Sequence, residues 1–206
     1  MDNDKKNIVF DFGGVILNLD ISATLKAFDA LGIKEIANST GHYYRDPIFN
    51  RHEIGAVSDQ EFRDAIKKLS DKKITDEEIN RAWTKMLLDI PKDRVDFILE
   101  LKKKYRIFLL SNTNLIHQNQ FEPYFFNLYK FPFSDLFERI YYSHIEGIRK
   151  PEAEAFTNVL TKSNLAAEET LFVDDSLENI KKAKELDIHT YHIQPGYVLR
   201  DILSVL

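Results

Sequence analysis

A chain of 206 residues is long enough to bury a full hydrophobic core, and its net charge of −5 argues against a nucleic-acid footprint. The absence of cysteine closes off disulfides, thiol chemistry and cysteine-based zinc sites. No apolar run approaches a membrane span, and "MDNDKK" lacks the apolar stretch of a signal peptide, so no membrane partner and a cytoplasmic location are expected.

The first predicted element is a buried strand over residues 6–11, short and β-branched, ending in Asp11 and followed by Gly13 and Gly14. Across the next seventy or so residues no strand-like run occurs. A helix is predicted over 21–31, aligning Ile21, Leu25 and Phe28 ahead of Gly32. Ser58-x-x-Glu61 and Thr75-x-x-Glu78 each spell a capping box. The first leads into Phe62, Ala65, Ile66 and Leu69, the second into Ile79, Ala82, Trp83, Met86 and Leu87. Residues 91–104 open with Pro91 and place Val95, Ile98 and Leu99 on one face.

Strands are then predicted over 106–111, 139–143, 169–174 and 188–193, and helices over 151–163 and 176–187. Aromatic residues crowd 121–142, with Phe121, Tyr124, Phe125, Phe126, Tyr129, Phe131, Phe133, Phe137, Tyr141 and Tyr142. Two readings fit them: core packing of a crossover, or an exposed apolar face that pairs two copies into a homodimer. Strands alternating with helices predict an α/β fold, a parallel sheet covered on both faces. The helical stretch 18–90 is inserted straight after the first strand, over the edge where such sheets bind ligands. That is the place of a lid or cap on a core formed by 1–17 and 91–206.

The strand ends carry the chemistry. The first ends at Asp11, the second at Ser111-Asn112-Thr113, and the fourth at Asp174-Asp175, while Lys150 precedes a helix. Singly, each is an ordinary turn or helix cap. Together, on one sheet edge, they suit phosphoryl transfer. Asp11 can attack phosphorus. The acidic pair can help hold Mg²⁺, a hard ion that prefers oxygen. Lys150 can offset the charge between phosphate and nucleophile, and Ser111 with nearby N–H groups can donate to phosphate oxygens.

"FDFGGVI", "LLSNTN", "GIRKPEAEAF" and "FVDDSLENI" resemble the four ordered motifs of the haloacid dehalogenase-like hydrolase superfamily. The resemblance covers essentially the whole chain once 18–90 is counted as a cap of the small helical-bundle type. It implies a Rossmann-like core and a mobile cap, with a small phosphorylated metabolite as the partner. It implies Asp11 as nucleophile and Mg²⁺ ligand, with the Gly13 carbonyl, Asp174 and Asp175 completing the metal site. Ser111 and Asn112 would bind phosphate and Lys150 would orient it. "NRHEIGAVSDQEF" and "SNTNLIHQNQF" look most like the sugar-phosphatase branch that includes α-glucose-1-phosphatase-like proteins.

One position departs from the family pattern. Its phosphatases usually carry an Asp two residues after the nucleophile, as general acid and base, and here that residue is Gly13. A relatively acidic leaving group needs less help. Otherwise water or the cap must supply the proton, and His42, Arg45, His52 and Glu53 are the cap residues placed to face a substrate, or else to lie solvated. Two other functions use the same residues: a dehalogenase in which Asp11 attacks carbon, and a phosphate-binding regulator with little turnover. Metal-dependent turnover separates the phosphatase from both.

Overall fold

The computed structural model describes residues 5–33, 46–194, 196 and 198–206. Five parallel strands form one sheet: β1 (Asn7–Phe10), β2 (Arg106–Ser111), β3 (Arg139–Tyr142), β4 (Thr170–Asp174) and β5 (His189–His192). Their order is β3-β2-β1-β4-β5, so β1 is central, with Asn7 in register with Arg106 on one side and Thr170 on the other.

The strands are short continuous apolar runs because both faces are covered. Ile8, Phe10, Leu109, Leu171 and Val173 pack into one core. Val9, Phe108, Leu110 and Phe172, one residue out of phase, pack into the other. This period of two is the strand's own geometry.

The insertion is built on α1 (Ile21–Ala30), α2 (Pro47–Glu53), α3 (Asp59–Leu69) and α4 (Asp76–Trp83). Both capping boxes form as the spacing predicts, at Ser58 with Glu61 and Thr75 with Glu78. These helices have a core of their own, with Phe28, Phe49, Phe62, Ile79 and Trp83 at its centre. Burying a Phe-sized side chain contributes roughly 1.5–3 kcal/mol, so the insertion has a substantial internal reason to hold together. The chain enters and leaves it through two paired segments. Asn18 N–H donates to the Asp89 carbonyl at 2.9 Å, Leu88 N–H to the Asn18 carbonyl at 3.0 Å and Asp20 N–H to the Met86 carbonyl at 2.9 Å.

Among the described residues five more α-helices follow: α5 (Lys92–Leu101), α6 (Leu115–Tyr129), α7 (Ser143–Glu146), α8 (Ala153–Ser163) and α9 (Leu177–Lys184). The expected face of α5 is corrected at one position. Leu99 is exposed, whereas Phe97 and Leu101 are buried with Val95 and Ile98. The covered face centres between Ile98 and Leu101, which leaves Leu99 beyond its edge. Leu69 is likewise exposed at the end of α3.

Most of the aromatic crowd is core. Phe121, Phe125, Phe133, Phe137 and Tyr142 pack in the first sheet core, and Tyr141 in the second. Tyr124, Phe126 and Leu128 on α6 are exposed. Among the described residues no helix is long and apolar enough to cross a membrane.

Candidate active site

Asp11 is the first residue past the central strand, and its N–H donates to the Val173 carbonyl at 2.8 Å, so β4 fixes its backbone. Asp174 ends β4 and Ser111 ends β2, both buried. Lys150 reaches between the two aspartates. Its Nζ donates to Asp11 Oδ1 at 2.7 Å and to Asp174 Oδ2 at 2.7 Å. The lysine is 1% exposed, a degree of burial that such a cation sustains only when paired.

Asn112 sets this lysine. Its Nδ2 donates to the Lys150 carbonyl at 2.9 Å, and its Oδ1 accepts from the Lys150 N–H at 2.9 Å. The Asn112 side chain is therefore committed to Lys150, which leaves its backbone as the part available to a phosphate.

Asp174 is held from its other side by Asn179, which sequence reading gave no role. Asn179 Nδ2 lies 3.1 Å from Asp174 Oδ1 and 3.0 Å from Oδ2, and the Ser176 N–H donates to Oδ1 at 2.7 Å. The signal was present: Asn179 stands five residues after Asp174, one turn into the helix that follows the strand.

Carboxylate oxygens of Asp11, Asp174 and Asp175 lie within 4.8 Å of one another. Lys150 is shared between Asp11 and Asp174, so its one ammonium offsets two ionised carboxylates only in part. Burial is the main cause that pushes the Asp11 carboxyl up to about 7; Lys150 opposes it, and Asp174 and Asp175 add to it. An oxygen-only, net-negative cluster of this kind fits Mg²⁺.

Gly14 makes room for the third carboxylate. Its φ is +78°, and a Cβ there would sit 2.2 Å from Asp175 Oδ2. Both the turn and the close approach therefore require glycine.

The proposed cap residues fare differently. His42 and Arg45 lie outside the described residues. His52 does not join the carboxylates. It is buried, stacked on Phe62 with ring centroids 4.2 Å apart, and its Nε2 is 2.8 Å from Asp59 Oδ1. It belongs to the insertion's own core. Glu53 faces the sheet domain, where it meets Arg149 at 2.9 Å.

A parallel sheet with a central-strand aspartate, a buried lysine and an acidic pair defines an α/β enzyme built for phosphate chemistry. The chain belongs to the haloacid dehalogenase-like hydrolase family, which it matches over residues 5–187. It is similar to the D-ribitol-5-phosphate phosphatase of Bacteroides thetaiotaomicron, at 36% identity over 98% of each chain. A structure of a HAD-family enzyme of the same organism, in complex with magnesium and inorganic phosphate, superposes with a TM-score of 0.85 at 37% identity, covering 94% of this chain and 96% of that one. A HAD-like hydrolase of Porphyromonas gingivalis is 30% identical with a TM-score of 0.87, covering 97% and 96%.

The cluster's charge predicts the proton traffic of metal binding. Because the Asp11 carboxyl is raised, metal-free protein holds its proton to a higher pH than an ordinary carboxylate does, and a cation bound beside it would displace that proton. Calorimetry in buffers of different ionisation enthalpy should therefore show proton release near pH 7 that fades above pH 8, with affinity rising over the same range. Heats that do not depend on the buffer at pH 7 would refute this.

Proposed function

We propose that this chain is a Mg²⁺-dependent phosphatase of a small sugar or polyol phosphate, working through a phosphorylated Asp11. One observation carries the reading. Asp11 stands at the tip of the central strand against Lys150 and Asp174, in a chain that matches a polyol-phosphate phosphatase from end to end. In this reading Asp11, Asp174, Asp175 and the Gly13 carbonyl hold Mg²⁺, which offsets negative charge and polarises the phosphate when bound.

The chain's own groups do the rest. Lys150 exchanges its bond to Asp11 for one to a phosphate oxygen, which frees the carboxylate. Ser111 and the N–H groups after β2 donate to the other oxygens. An Asp11 oxygen then attacks phosphorus, the ester P–O bond breaks, and the leaving alkoxide takes its proton from water. Water attacks the same phosphorus, releasing inorganic phosphate and restoring Asp11. The helical insertion serves as the lid that excludes water and selects the substrate. The dehalogenase alternative would leave the Asp174–Asp175 pair with no metal to hold. Phosphorylated metabolites are retained inside cells, which supports a cytoplasmic site of action. The test is phosphate release across polyol, sugar and nucleoside phosphates with and without Mg²⁺. No metal-dependent release from any of them would overturn the reading.

Gly13 shapes the rate law. Ribitol 5-phosphate, named for the relative, is an ester of a primary alcohol, a poor leaving group without a proton donor. With no acid at position 13, log(kcat/KM) should fall steeply as leaving-group pKa rises, and aryl or anomeric phosphates should outrun simple alkyl ones. The φ of Gly13 lies outside the left-handed region, and the three heavy atoms nearest a Cβ there all belong to the Leu19 side chain, its Cδ1 methyl at 2.6 Å. Gly13→Asp is therefore accommodated by a shift of that side chain. It should raise alkyl-phosphate turnover by up to ~10²-fold, with little gain for aryl esters. Equal gains for both classes would show that position 13 does not deliver a proton.

A further inference from the structure

Besides the paired segments Asn18–Asp20 and Met86–Asp89, and His117 Nε2 at 3.0 Å from the Trp83 carbonyl, the seam between insertion and sheet domain is tied around Glu53. Glu53 is the last residue of α2, where a carboxylate is opposed by the peptide dipoles. It has left solvent: the Glu53 and Arg149 side chains are 13% and 16% exposed, and they meet at 2.9 Å. Burial raises the Glu53 carboxyl above its ordinary value, and Arg149 acts against that. Beside the pair, Ser143 Oγ donates to the Glu53 carbonyl at 2.6 Å and accepts from the Thr113 N–H at 2.9 Å. Two residues on, Gly55 lies against the His144 carbonyl so closely that a Cβ would sit 2.2 Å from its oxygen.

On the sheet side, two of these partners, Arg149 and Thr113, adjoin residues of the site. Arg149 precedes Lys150, whose backbone is clasped by Asn112, and Thr113 follows Asn112. We propose that the Glu53–Arg149 pair is a latch. It seats the insertion and, through the Arg149–Lys150 backbone and the Asn112–Thr113 loop, sets Lys150 against Asp11. Both are positioning residues, and Glu53 does not deliver the proton that Gly13 lacks. The latch rests on the phosphatase reading for its effect on rate, but its structural core is measurable without turnover.

The experiment compares Glu53→Gln, Arg149→Met, Arg149→Lys and the double variant Glu53→Gln/Arg149→Met. Each neutral single variant should lower kcat/KM by ~10- to 10²-fold, the scale of a misplaced reacting group. The double variant should be no worse than the poorer single one, because the two residues act as one unit. Arg149→Lys should recover part of the loss, and the dependence on leaving-group pKa should keep its wild-type slope.

Exchange of the Lys150 amide, which donates to Asn112, should quicken in both neutral variants. Wild-type protection of that amide in the folded variants, or losses that add in the double one, would overturn the latch. A loss confined to Glu53→Gln with a steeper leaving-group slope would instead make Glu53 the proton donor. If the single variants do not fold, the charge swap Glu53→Arg/Arg149→Glu decides, since restored amide protection supports the latch and its absence overturns it. A wild-type protein that releases no phosphate removes the phosphatase reading, and the amide exchange still decides the latch.

Discussion

The Asp11→Asn protein should fold as the parent does and release essentially no phosphate, a loss of ~10⁴-fold or more on the scale set by removal of catalytic nucleophiles. The amide is nearly isosteric and can keep the contact with Lys150, while the N–H at position 11 remains anchored to Val173. What disappears is the charged oxygen that, in the proposed mechanism, attacks phosphorus. Phosphate release measured over hours, with circular dichroism as the check on folding, settles the matter. A folded Asp11→Asn variant within tenfold of wild type would show that another group attacks.

Removing the cation should have the next largest effect. Lys150→Met leaves Asp11 and the fully buried Asp174 facing each other without a positive charge. Breaking a buried pair from one side costs about 3–5 kcal/mol, so urea unfolding at pH 8 should show a deficit of that order. The pH dependence follows from Asp11. Its folded pKa already lies above its ordinary value and must rise further when the ammonium goes. The penalty therefore applies in full above the folded pKa and is relieved as the pH falls and Asp11 takes a proton. The deficit should shrink at pH 5, and Mg²⁺ should shrink it at pH 8. An equal deficit at both pH values, indifferent to Mg²⁺, would mean that lost packing rather than unpaired charge destabilises the variant.

The strands and their polar tips are legible in the sequence because a parallel sheet buried on both faces needs unbroken apolar runs. A polar residue at the end of one then stands out. Asp11, Ser111 and Asp174 were visible for that reason. Asn179 was not, since it looks like any polar residue on a helix until β4 and α9 place it against Asp174.

Arg149 hid for a related reason. A charge beside Lys150 reads as solvated surface, and only the insertion folding back brings Glu53 to it. The helix α6 also left little trace. Its buried Ile116, Phe121 and Phe125 alternate with exposed Leu115, Tyr124, Phe126 and Leu128, so no apolar stripe marks a face, and Pro123 lies within it. His52 was read as a site candidate from its neighbours in the chain, but stacking on Phe62 claimed it.

The paired segments Asn18–Asp20 and Met86–Asp89 give the insertion adjacent points of departure and return. Neighbouring strands lie about 5 Å apart, so the chain passes into and out of the insertion through one narrow neck. Residues gained or lost beyond the neck leave β1 and β4 where they are. Lineages descended from such a chain can remodel the insertion, by insertion, deletion or recombination between 20 and 86, while inheriting the carboxylates at the strand ends unchanged.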